Sequence, residues 1–96
     1  MQITSRFTVA VHTLLAIYKF NKDYKTTSDF IATSVNVNPV VIRRTLQGLK
    51  AAGFVEVKAG SGGASITKPL DQITLYDVYV AMESFCLLYT SDAADE

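Results

Sequence analysis

The dipeptide Asn38-Pro39 constrains the fold of this chain more than any other pair of residues. Asparagine accepts hydrogen bonds from the free N–H groups of a helix start, and proline, with no N–H and a φ fixed near the helical value, is favoured at the first helical position. A helix is therefore expected from Pro39. It should run to about Ala52, where Gly53 can take the left-handed conformation of a helix end and Phe54 can fold back onto the last turn. Upstream, Thr26-Thr27-Ser28-Asp29 offers hydroxyl caps and an acidic first turn, and Ile31 and Val35 lie one turn apart beyond it, which predicts a short helix. Only Asn36 and Val37 separate that helix from the cap of the next, so the two must cross.

Before this pair, Phe7, Val11, Leu14, Leu15 and Tyr18 recur at three- and four-residue steps between Ser5 and Tyr18, the stripe of a first helix. In the third helix, Ile42, Leu46 and Leu49 share one face, while Val40, Arg43, Arg44, Gln47 and Lys50 share the opposite one, giving a core side and a cationic side. After Phe54, Val55 to Lys58, a turn Gly60-Ser61-Gly62-Gly63, and Ala64 to Thr67 read as a glycine-tipped β-hairpin closed by Pro69. At Ile73-Thr74-Leu75-Tyr76-Asp77-Val78, Thr74 caps a fourth helix, Asp77 takes the reciprocal capping position and Ile73 staples against Val78. Beyond Phe85 no cap or sustained period remains.

The composition narrows what such a chain does. Its 96 residues suit one domain, and a hydrophobic fraction of 49% is enough for a modest core. Charges balance over the whole chain, but Asp92, Asp95 and Glu96 fall in the last five residues, leaving nine basic against six acidic groups in residues 1–91. The body is mildly basic, a weak pointer to a polyanion. The single cysteine, Cys86, allows no internal disulfide, the run from Val9 to Tyr18 is too short to span a membrane, and the amino terminus lacks the features of a signal peptide. A cytoplasmic protein is expected. With no phosphate-cradling glycine loop opening a helix, no paired-carboxylate motif and one histidine without an evident nucleophile, no enzyme is expected.

Helix, helix, short turn, helix, glycine-tipped hairpin and a fourth helix make a mostly α fold with a small β-hairpin, the winged helix-turn-helix. In that layout the third helix enters the major groove with its amino-terminal residues toward base edges, and the hairpin, or wing, reaches the backbone or minor groove. From Ser5 to Ser84 the sequence also resembles the BadM/Rrf-type bacterial transcriptional regulators. The matching segments are Ser5-Arg6 with Val9-Ala10, Thr27 to Val35, Asn38 to Arg44, Leu49 to Gly53, Ala59 to Ser65, and Ile73 to Val78. The resemblance implies a homodimeric DNA-binding regulator, a repressor or activator with repressor preferred, on a palindromic double-stranded DNA operator. The candidate DNA-contacting residues are Arg6, Thr27, Asn38, Pro39, Val40, Arg43, Arg44, Gln47, Lys58, Ser61 and Gly62.

The sequence departs from that family in three respects. Many members hold an iron–sulfur cluster through three cysteines after the DNA-binding domain, whereas this chain has Cys86 alone, so no cofactor is expected. Members commonly carry arginine at the start of the wing turn, where Ala59 follows Lys58 here; Lys58 is then a phosphate contact. Members also continue into a dimerisation helix, whereas residues 87–96 match no family segment and resemble read-through into foreign sequence. Residues 1–86 are accordingly read as the DNA-binding domain and 87–96 as a disordered or non-native tail, with dimerisation weak or absent in this chain.

Each sharp assignment has a plainer counterpart. Arg43, Arg44 and Gln47 in isolation read as a solvated helix face, and the flanking turn and wing reverse that preference. The glycines of the turn are structural first, and His12 and Cys86 are given no role. The alternative function is a winged helix used for protein–protein interaction without DNA binding, since the fold does not dictate its partner.

Overall fold

The structure, a computed structural model, describes residues 5–58 and 63–88. Its elements in chain order are α1 (Ser5–Phe20), α2 (Ser28–Val35), α3 (Pro39–Ala51), β1 (Val55–Lys58), β2 (Gly63–Ile66), a 3-10 turn (Leu70–Gln72) and α4 (Leu75–Leu88). Four helices and one antiparallel hairpin are the architecture expected from the sequence. The local signals account for the boundaries. Asn38 Oδ1 accepts from the Val40 N–H at 2.8 Å with Pro39 in the first turn of α3. At the other end, Gly53 has φ +85°, its N–H donates to the Lys50 carbonyl and the Phe54 N–H donates to the Leu49 carbonyl. That paired return is the Schellman closure, and it carries Phe54 into the core.

The core lies where α1, α2, α3 and α4 converge on the base of the hairpin. Ile17, Ile31, Ile42 and Leu49 are fully enclosed, with Val55, Ala64, Val78 and Met82 around them. The core face of α3 is the one expected. The face of α1 is the expected one only in part: Leu14 is buried and Phe7 and Val11 pack against the core, but Leu15 is 52% and Tyr18 68% exposed, and Ala10, Thr13 and Ile17 are buried in their stead. Both sets have helical spacing, and tertiary packing selects the one whose small members let α1 approach its neighbours closely.

The hairpin pairs Val55 with Ile66, Glu56 with Ser65, Val57 with Ala64 and Lys58 with Gly63. Gly63, expected in the turn, is thus the first residue of β2. Alternation along β1 does not become alternating burial: Val55 is buried, but Val57 is exposed because the strand has by then left the core edge. The wing turn, including Ser61 and Gly62, lies outside the described residues. In α4, Asp77 N–H donates to Thr74 Oγ1 and Thr74 N–H donates to Asp77 Oδ2, each at 3.0 Å, the reciprocal capping box foreseen. The 3-10 turn was not foreseen. Helix α4 continues to Leu88, two residues beyond the boundary placed at residue 86; the rest of the expected tail, residues 89–96, lies outside the described residues.

Candidate nucleic-acid interface

The short turn between α2 and α3 sets how α3 is displayed. Asn36 closes α2 in the left-handed conformation, φ 59° and ψ 50°, and both its N–H and that of Val37 donate to the Ala32 carbonyl. The chain reverses there within two residues and enters the Asn38 cap. Asparagine tolerates this backbone region better than most residues, a signal present in the sequence but not used above. With Ile42, Leu46 and Leu49 holding α3 to the core, Val40 (52% exposed), Val41, Arg43, Gln47 and Lys50 face outward. Arg44 is half-buried, so the two arginines are not equivalent. Val41 was not singled out from the sequence, although it extends the outward apolar surface of Val40.

The start of α2 and the wing are joined to each other. Thr27 caps α2, its hydroxyl accepting from the Phe30 N–H at 3.1 Å, and it is half-buried in that role. The residue before it, Thr26, lies against the wing: the Ala64 N–H donates to the Thr26 carbonyl at 2.8 Å, and the Thr26 hydroxyl donates to the Ala64 carbonyl. Asn21 Nδ2 donates to the same carbonyl at 3.0 Å. The wing strand is therefore bonded to the loop that starts α2, and Lys58, exposed and opposite Gly63, stands at the outer end of that joint. Glu56 shares the strand with Lys58 and is also exposed, which lowers the positive charge of the wing. Arg6 is exposed in the first turn of α1.

Two grooves open on the described surface. One, of about 510 Å³, opens between α1 and α2 and is lined by His12, Lys19 and Ser34 with apolar neighbours and no acidic residue to orient the histidine. The other, of about 220 Å³, lies between α1 and the start of α4 and is lined almost wholly by apolar side chains such as Leu15, Leu70 and Leu75.

The sequence profile of the Rrf2 family, described as iron-dependent transcriptional regulators, matches residues 3–95, and so runs through most of residues 87–96, the stretch expected to match no family segment. The chain belongs to the Rrf2 family. It is similar to the HTH-type transcriptional regulator YwnA of Bacillus subtilis, with 46% identity over 81 residues that cover 84% of this chain and 59% of YwnA. This Rrf2 chain thus spans about three-fifths of the length of that relative. A crystal structure described as that of a DNA-binding protein is 47% identical with a TM-score of 0.70, covering 80% of this chain and 64% of the other. The structure of CymR, the global cysteine regulator of B. subtilis, is 20% identical with a TM-score of 0.75 over 86% of this chain and 65% of its own, and it shares the winged-helix fold.

The iron in the family's description calls for ligands. Among the described residues no group of three His, Cys, Asp or Glu side chains could hold a metal ion, and the sequence contains one cysteine. The residues of this Rrf2 chain do not fit an iron–sulfur cluster held by three cysteines. No helix among the described residues is long and apolar enough to cross a membrane.

Proposed function

We propose that this chain is the sequence-specific DNA-binding part of a transcriptional regulator, with α3 entering the major groove and the wing reaching backbone or minor groove. The observation that carries this reading is the division of α3: Ile42, Leu46 and Leu49 are buried while Val40, Arg43 and Gln47 stand exposed on its first three turns, directly after a capped helix start. An arginine there supplies a bidentate donor pair for guanine, glutamine pairs with adenine, and an exposed valine meets a thymine methyl. The helix start at Asn38 and Pro39 leaves backbone N–H groups and the positive end of the helix dipole toward a phosphate, and the capped amino terminus of α2 at Thr27 does the same. The names of the relatives support the same reading.

The finer features belong to the proposal as well. The regulator is a repressor that binds a palindromic operator as a homodimer, this part of it holds no cluster, and it works in the cytoplasm without catalysis. Two-fold symmetry of operator and protein go together, so half-sites should lie about one helical turn or a multiple apart. Selection from a random duplex pool, followed by titration of the recovered sequence at low and moderate salt, tests this reading. Enrichment of a defined sequence is expected. Absence of duplex binding even at low salt contradicts it and favours a protein-interaction module.

A further inference from the structure

We propose that Thr26 and Asn21 are positioning residues for DNA binding, clamping Ala64 so that the wing and the amino terminus of α2 engage the duplex as one rigid unit; this rests on the DNA-binding reading above. Ala64 is held by three bonds from one loop: its N–H donates to the Thr26 carbonyl at 2.8 Å, and its carbonyl accepts both from the Thr26 hydroxyl and from Asn21 Nδ2, the latter at 3.0 Å. A neighbouring strand would satisfy that carbonyl with a backbone N–H. Here side chains do it, so the attachment depends on the identity of residues 26 and 21 and not on backbone alone.

The joint is closely fitted. Thr26 is 1% exposed, and a Cβ on Gly63 would stand 2.9 Å from the Thr26 nitrogen. On one side of the joint Lys58 pairs with Gly63; on the other, Thr27 follows Thr26 and caps α2. The separation of the Lys58 backbone from the α2 amino terminus is thus set by the clamp. Two phosphate contacts at fixed spacing bind with less ordering cost than the same two on elements free to move. Thr26 need not touch DNA to matter.

The test is a double-mutant cycle on duplex binding with the whole chain, using the operator sequence recovered by selection. Thr26→Val keeps the shape and loses the hydroxyl, Asn21→Ala removes the second donor at an exposed position, and Thr26→Ser retains the hydroxyl. In the parent, Lys58→Ala is expected to weaken binding about threefold to tenfold and to make the salt dependence shallower by roughly one. In the Thr26→Val and Asn21→Ala backgrounds, Lys58→Ala should have little further effect, while preference at bases read by α3 is retained and Thr26→Ser behaves as the parent. If Lys58→Ala weakens all backgrounds equally, the clamp is overturned while DNA binding stands. If the parent itself does not bind duplex DNA, the functional reading fails and the clamp's role fails with it.

Discussion

The Thr26 hydroxyl and the Ala64 carbonyl, 38 residues apart in the chain, form the hydrogen bond that fastens the wing to the loop before α2. Beside it, a Cβ on Gly63 would stand 2.9 Å from the Thr26 nitrogen, and Gly63 itself has φ +80°. Gly63→Ala should therefore cost about 1–3 kcal/mol, from an unfavourable backbone region together with a clash against backbone that cannot swing away. Chemical denaturation of the two proteins measures this, and an unchanged midpoint would show that the joint is looser than described.

Three substitutions on α3 should separate its structural from its functional positions. Ile42→Ala empties a fully buried site and is expected to cost about 2–5 kcal/mol. Asn38→Ala removes the cap on the Val40 N–H and should cost about 1 kcal/mol. Arg43→Ala changes an exposed side chain and should leave stability within about 0.5 kcal/mol. Urea midpoints that do not follow this order would contradict the orientation of α3.

The parts of the fold that sequence alone revealed are those in which a side chain acts on its own neighbourhood. Asn38 acts on Val40, Thr74 and Asp77 act on each other, and Gly53 with Phe54 closes back onto Lys50 and Leu49. Each is fixed by spacing within six residues. On α1, Leu15 and Tyr18 lie outside although their spacing places them with Leu14, because overlapping helical stripes were available and partners distant in sequence chose between them. The clamp on Ala64 was invisible for the same reason, since nothing near Thr26 announces a bond to a strand so far along the chain. At the candidate interface, the outward set of α3 was legible from its period, whereas the difference in exposure between Arg43 and Arg44 and the outward placement of Val41 depend on how α3 lies on the core.

The capping box of α4 should make stability sensitive to acid. The Thr74 N–H bonded to Asp77 holds that carboxyl below its ordinary value against the opposing effect of desolvation, with smaller help from the Thr74 side chain and the Lys68 charge. A carboxyl whose folded value lies below its unfolded one stabilises the protein fully above the unfolded value and loses that contribution as pH falls through the folded one. The thermal midpoint of Asp77→Ala should therefore lie below the parent's near neutrality and converge toward it in acid. A constant gap across that range would show that the carboxylate charge is not what matters.

Val40 and Val41 should contribute to sequence preference without contributing charge. Both are exposed in the first turn of α3, where an apolar side chain meets the methyl group of thymine. Val40→Ser is expected to relax preference at one A·T position by about tenfold, consistent with roughly 1–3 kcal/mol per mismatched pair, while the salt dependence of binding stays as in the parent. A shallower salt dependence with preference intact would place Val40 near the backbone instead.

The central claim, that α3 reads DNA through its exposed first half, is tested most directly by fluorescence anisotropy titrations of a labelled duplex with the parent chain and with Arg43→Ala, repeated from low to moderate salt. The account predicts that the parent binds, that affinity falls as salt rises, and that Arg43→Ala, folded as the parent is, loses at least about tenfold in affinity together with either the preference at one base position or roughly one unit of salt dependence. Equal affinity and equal salt dependence for the two proteins would contradict it.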